Sequence, residues 1–310
     1  MRFGAHLPLL DFGGTRCDLD SLVGYTRVAA ESGFDAISVN DHMVFSAPWL
    51  DGLTALAAVL PHAGAMTLAT TVALPVVRGP VPLAKSVAAL DLLSGGGRLV
   101  VGVGPGSSAA DYDAVGVSFD ERWPRFDESL LALRALLTRD ASPFSGRFYS
   151  TEGVALQPPP ASAAGPPIWA ASWGSPAGMR RVARAADGWM ASAYNTTPPD
   201  FAEAWQSLRG YLAAAGKPTD DFPNALVTMW FHITEDRAEA ERVLTERVLP
   251  VVKRPEAVLR ERLPIGPAEK FVELLDAFGR AGVQCVFVWP VLDEVRQLER
   301  FASEVMPRLA

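Results

Sequence analysis

The chain has 310 residues, enough to bury a large core, and its 49% hydrophobic and 20% charged residues are those of a folded chain, not a disordered one. A net charge of −7, with no Lys/Arg run to offset it, argues against a nucleic-acid surface. The two cysteines, Cys17 and Cys285, lie near opposite ends and form no CxxC pair, and no apolar stretch approaches the ~20 residues of a membrane span.

The opening MRFGAHLPLL lacks the apolar core and cleavage site of a signal peptide, so a cytoplasmic location is expected. From there, short β-like runs alternate with helix-like runs. RFGAHL (2–7) precedes a helix over 19–32 that stops at Gly33. DAISVN (35–40) follows, then an apolar helix near 51–60 and the strand MTLATTVAL (66–74). A helix over 80–94 ends at the glycines 95–97, and RLVVGVG (98–104) comes next. A long helix around 120–138 leads to PPIWAAS (166–172), a helix over 176–186 and DGWMAS (187–192). After a helix over 199–215 come the strand NALVTMWFHI (224–233), helices over 235–247 and 267–281, the strand VQCVFVW (283–289) and a closing helix over 291–307.

Eight strand candidates separated by helices imply parallel crossovers, and their nearly continuous apolar runs suit a sheet covered by helices. Count and length fit an α/β fold of the (β/α)8 TIM-barrel type, one domain over residues 1–310. A doubly wound open sheet is the alternative. Insertions are expected near 105–120, 140–166 and 247–266. The second of these reads as a β-hairpin followed by a loose Pro/Ala linker, and the third as irregular.

In a parallel barrel, chemistry gathers at the C-terminal ends of the strands. Read to their ends, these strands give His6, then Asp41 and His42, then Thr70 and Thr71, then Gly104, Gly106, Ser107 and Ser108, and then Ser172, Trp173, Gly174 and Ser175. His42 follows a buried strand beside an acid, which suits a proton donor or acceptor; the plainer reading is a hydrogen bond to a carbonyl. GVGPGSS (102–108) is not a dinucleotide fingerprint, because Ser107 stands where the last glycine is needed and the motif follows the fourth strand. Its glycines either form a tight turn or let backbone approach a ring or a phosphate. In SWGSPAG (172–178), Ser175 before Pro176 suits a helix cap, and the free N–H groups behind it suit a phosphate; the residues leave both readings open. Trp49 and Trp173 follow strand ends and are candidate pocket walls, with His6 and Ser107 beside them. No histidine or carboxylate spacing points to a metal, and no G-x-S-x-G elbow to a serine hydrolase.

FDAISVNDHM, LATTVALPVVRGPVPLAKSVAALDLLSGGGRLVVGVGPG, PPIWAASWGSPAGMRRVARAADGWM and IGPAEKFVELLDAFGRAGVQCVFVWP together resemble the luciferase-like monooxygenase superfamily, in its branch of coenzyme F420-dependent oxidoreductases. The resemblance spans essentially the whole chain and implies a bacterial luciferase-like TIM barrel with a deazaflavin across its mouth. It implies that Asp41 contacts the cofactor and that His42 sits beside the reactive face. A non-proline cis peptide follows the third strand in such proteins and buttresses the ring; Thr71-Val72 matches that place. Gly104 and Gly106 match the loop at the ring and tail, and Ser172, Gly174 and Ser175 the phosphate loop. Two departures stand out. Ser107 occupies the position of the acid in F420-dependent glucose-6-phosphate dehydrogenases, and Trp49 lies farther from the Asp-His pair than the tryptophan of those relatives.

The expected function is hydride transfer between F420 and an organic substrate, a small molecule or modified peptide, with His42 catalytic and handling the proton. Reduction of an activated C=C or C=N bond is as compatible as alcohol oxidation. One alternative is an FMN-dependent monooxygenase served by a separate flavin or F420 reductase; another is a flavin-binding barrel without catalysis. No nucleic-acid, membrane or metal partner is expected, and relatives of this kind often form homodimers.

Overall fold

In the computed structural model, which describes residues 1–14 and 18–309, eight parallel strands close into a barrel. They are β1 (Arg2–His6), β2 (Ala36–Val39), β3 (Thr67–Ala73), β4 (Leu99–Val103), β5 (Ile168–Ala171), β6 (Gly188–Ser192) and β7 (Asn224–Ile233), then, after a two-residue strand β8 (Ile265–Gly266) outside the ring, β9 (Cys285–Pro290). Strands pair in chain order from β1 to β7, and the β7–β9 and β9–β1 pairings complete the circle, so the open-sheet alternative does not hold. Cys17 lies outside the described residues, and Cys285, buried in β9, has its thiol pushed up to about 12 by that burial.

The helices are α1 (Leu19–Glu31), α2 (Gly52–Val59), α3 (Pro75–Arg78), α4 (Pro80–Leu93), α5 (Ala109–Ala114), α6 (Arg122–Leu137), α7 (Pro176–Ala185), α8 (Pro198–Ala214), α9 (Arg237–Arg242), α10 (Glu256–Arg262), α11 (Ala268–Arg280) and α12 (Glu294–Arg300). Their starts are written in the sequence. Asp18 accepts from Ser21 N and Asp51 from Thr54 N, and α8 carries a full capping box between Thr197 and Asp200.

Two apolar layers hold the barrel. The larger lies between strands and helices; the smaller fills the barrel with Trp169, Met190, Val227 and Phe287 among small side chains. Glycine makes that filling possible: a Cβ on Gly188 would lie 2.5 Å from the Trp169 ring, and one on Gly4 would lie 2.3 Å from Phe287. A third apolar cluster covers the C-terminal mouth. It joins Leu10 and Phe12 after β1, Trp230 on β7, Trp289 on β9, and Val243, Leu244, Val248, Leu259 and Leu263 from the excursion between β7 and β9.

Strand β7 carries that cover. All ten of its residues are buried, and its register shifts between Leu226 and Met229, where Thr228 adopts φ 61°. Residues before the bulge pair with β6, whereas His232 and Ile233 beyond it pair with β8.

Some expectations need correction. The hairpin expected within 140–166 shrinks to a single antiparallel bridge, Ser145 to Ser150, because the intervening amides of Arg147, Phe148 and Tyr149 donate to the Glu128 carboxylate of α6 instead of to a ladder. The region 247–266 is not irregular throughout, since α10 and β8 form there. The helix expected over 235–247 passes from α9 into a wide π-type turn over Val243–Val248, and the closing helix does the same over Phe301–Val305. In both, a hydroxyl bonds the carbonyl four residues back, Thr245 to Glu241 O and Ser303 to Glu299 O, each at 2.8 Å.

Candidate active site at the barrel mouth

The short β2 ends at Val39, so Asn40, Asp41 and His42 project at the mouth before Asp51 caps α2. His42 Nδ1 lies 2.7 Å from Asp111 Oδ2. The other oxygen of Asp111 accepts from the amides of Met43 at 2.7 Å and Val44 at 2.9 Å. Asp111 is wholly buried at the start of α5. That burial alone would raise its pKa, but the hydrogen bonds from His42 and from the Val44 and Met43 amides outweigh it and hold the carboxyl below its ordinary value. An ionised Asp111 fixes the proton of His42 on Nδ1 and leaves Nε2 as the nitrogen that can take or give one.

Asp41 sits at the same strand end, but its oxygens are engaged. Arg78 reaches them through Nε at 2.6 Å and Nη2 at 2.7 Å, and Leu74 N donates at 3.1 Å. Arg78 also pairs with Asp51. Burial works against the guanidinium charge, yet the two carboxylates outweigh it and raise the Arg78 pKa. Arg78 therefore ties β2, α2 and α3 together beneath the mouth.

The Thr71-Val72 peptide is cis. Thr71 Oγ1 donates to Ser38 Oγ at 3.2 Å and Val39 O at 3.3 Å, and Thr70 Oγ1 donates to Gly102 O at 2.7 Å, which pins β3 to both neighbours. Gly104 faces this peptide: a Cβ there would come within 2.8 Å of Val72 Cγ2. Gly106 has φ 78°, and Ser107 is exposed.

After β5, Ser172 Oγ accepts from Gly174 N at 3.3 Å, Gly174 has φ 94°, and Ser175 Oγ caps α7 by accepting from Gly178 N at 3.2 Å. The capping reading is thus observed; Ala177 N, in the first turn, has no intrahelical acceptor available. Trp173 is 57% exposed, with the Arg254 guanidinium 5.9 Å from its ring. His6 is buried at the end of β1, donates Nδ1 to Leu7 O at 2.7 Å, and stacks on Trp289 with ring centroids 3.7 Å apart. Trp49 meets His42 edge-on at 4.5 Å.

Sequence reasoning missed Asp111, Arg78, Trp230 and Trp289. Asp111 and Arg78 act across 69 and 37 residues of chain, and nothing local signals such partners. Trp289 closes the last apolar strand and could have been read from the same rule that found His6.

The family model for luciferase-like monooxygenases matches residues 6–266. The chain belongs to that family. Among curated relatives of this luciferase-like protein, the F420-dependent glucose-6-phosphate dehydrogenase of Nocardia farcinica is 26% identical over 324 residues, covering 93% of each chain. Two solved structures share its fold along its whole length. An F420-dependent secondary alcohol dehydrogenase in complex with an F420-acetone adduct superposes with a TM-score of 0.86 at 19% identity, covering 100% of this chain and 99% of that one. A monooxygenase from Streptomyces bottropensis superposes with a TM-score of 0.84 at 24% identity, covering 100% of both. The luciferase-like barrel is therefore shared by F420 enzymes and monooxygenases alike, and among the described residues no helix is long and apolar enough to cross a membrane.

Proposed function

We propose that this luciferase-like protein is a cytoplasmic F420-dependent oxidoreductase that reduces an activated C=C or C=N bond of an organic substrate or oxidises an alcohol. The observation that carries the reading is the buried Asp111 carboxylate on Nδ1 of His42. A barrel that only bound a flavin would have no use for an imidazole held in one tautomer with its second nitrogen at the mouth. F420 over FMN is supported by the full-length likeness to the Nocardia dehydrogenase.

The residues present fit such a cofactor. A Cβ on Gly104 would strike Val72, so only glycine leaves a smooth backbone surface beside Thr71-Val72 for a ring. Ser172, Gly174 and Ser175 shape the start of α7, where first-turn N–H groups and the helix dipole favour a phosphate. Asp41, engaged by Arg78, holds the wall of this site and acts on the cofactor through it. Bound there, F420 would supply the carbon that gives or takes the hydride.

The chain supplies the proton. His42 Nε2 gives one when the substrate gains a hydride and takes one when an alcohol loses it, while Asp111 stabilises the imidazolium. Ser107 offers no second acid, so this arrangement lacks support for sugar-phosphate oxidation by an acid after the glycine loop.

Fluorescence titration of the purified protein with F420 and with FMN tests the reading. F420 should bind at least about tenfold more tightly, equivalent to ~1.4 kcal/mol. Tighter binding of FMN would overturn it in favour of a monooxygenase that draws reduced flavin from a separate reductase.

A further inference from the structure

Three indoles gather beside His42. Trp289 has its ring centroid 5.6 Å from Trp49 and 5.8 Å from Trp230, and its other face carries the stacked His6 ring. The Nε1–H groups of Trp49, Trp230 and Trp289 are all buried, and none has a hydrogen-bond acceptor; beside them His6 is hydrogen-bonded by the Asn40 side chain. Elsewhere the chain satisfies a buried indole readily, since Trp189 donates to Ser172 O at 3.0 Å. An unpaired buried donor costs ~1–3 kcal/mol, and folded proteins carry few of them. Several in one contiguous cluster at a strand-end mouth call for an external partner.

The donor and acceptor pattern defines that partner. Each indole can only donate. His6 gives its Nδ1 proton to Leu7 O, and burial lowers its pKa to about 3. The indoles themselves carry no charge. His42, at the edge of Trp49, is already paired with Asp111; Arg78 is taken by Asp41 and Asp51; Arg254 lies over Trp173 and Tyr194 and donates to Asn195 Oδ1 at 3.4 Å; and Arg262 donates Nη1 to Tyr194 O at 3.3 Å. A charged ligand would be buried there without compensation.

Resting on the oxidoreductase reading above, we propose that Trp49, Trp230 and Trp289 form the substrate-recognition surface, and that the substrate is an uncharged, flat ring compound carrying carbonyl oxygens. Carbonyl oxygens accept from the indole N–H groups, and the ring packs against the apolar side chains of the cover. The cover over Trp230 and Trp289 is made by Val243, Leu244, Val248 and Leu259, so a substrate displaces dry apolar contacts there.

Calorimetric titration of the F420-loaded protein with 6-hydroxy-1-tetralone, tetralin and 1-naphthoate tests this. The hydroxytetralone should bind about tenfold or more tighter than either of the others. Trp230→Phe and Trp289→Phe, which keep a ring and remove the N–H, should each weaken it about five- to tenfold while leaving tetralin unaffected. F420 titration of the same variants should match the wild type, which shows that they are folded. Equal binding of hydroxytetralone and tetralin, tighter binding of naphthoate, unchanged affinity in both variants, or binding of none of the three would overturn the proposal. Failure of the wild type to bind F420 would instead strike the cofactor reading, and the same tetralone series on the cofactor-free protein would still decide this one.

Discussion

Asp111 gives His42 a direction, and the amides of Met43 and Val44 make that direction hard to fake. In Asp111→Asn, those two amides would claim the one remaining carbonyl oxygen and turn the NH2 group toward His42 Nδ1. The imidazole would then carry its proton on Nε2, the wrong nitrogen for accepting one. Turnover should fall by ~10²–10⁴-fold, the span of general acid–base catalysis, with KM and F420 affinity little changed and the acid limb of the pH–rate profile altered. His42→Ala should lose a similar factor. A steady-state assay paired with an F420 titration checks both, and unchanged kcat in either variant would return the pair to architecture.

At the level of elements, the proposed phosphate contacts fall on the backbone of α7. Its first residue is already Pro176, so Ala177 provides the next first-turn N–H. Helix α8 starts with Pro198 and Pro199 in succession, which shows that this fold accepts two prolines at a helix start. Ala177→Pro should therefore keep the fold and remove one phosphate donor, weakening F420 by about five- to twentyfold; an unchanged Kd would move the phosphate elsewhere. Gly174→Val is a poorer probe, because a Cβ there meets Ala204 at 2.9 Å and φ is 94°. The elements themselves were largely legible. Eight apolar runs between periodic segments announce the barrel, and the Ser175–Pro176 pair announces the start of α7. What stayed hidden depends on distant partners: Glu128 captures the turn amides near 147, some 20 residues along the chain. His42 was visible at a strand end, but the carboxylate that orients it was not, because a single acid in a short helix has no pattern around it.

The whole molecule should respond to acid through His6. Its pKa is 6.5 in an unfolded chain and about 3 when buried here, so between those values the unfolded state binds the extra proton. Stability should thus be unaffected by this group above pH ~6.5 and fall as pH drops below it, by up to ~1.4 kcal/mol per pH unit and ~5 kcal/mol in all. Urea unfolding between pH 4.5 and 8 measures the slope; His6→Gln should flatten it, and an identical slope in that variant would remove His6 as the cause.

The bulge at Thr228 has a consequence for how such a protein can change. Up to Val227 strand β7 pairs with β6; past the bulge it stays paired with β9 through Phe231, and His232 and Ile233 then hold β8 and, through β8, the cover above the mouth. The seam between them is short: His232 N to Pro264 O at 3.3 Å and Thr234 N to Gly266 O at 2.9 Å. Residues 235–263 therefore leave and rejoin the barrel at adjacent points. They form an exchangeable cassette, which lineages could swap for another without renegotiating the barrel, the His42–Asp111 pair or the turn before α7. Diversification of such enzymes would then be a matter of changing roofs over a common floor.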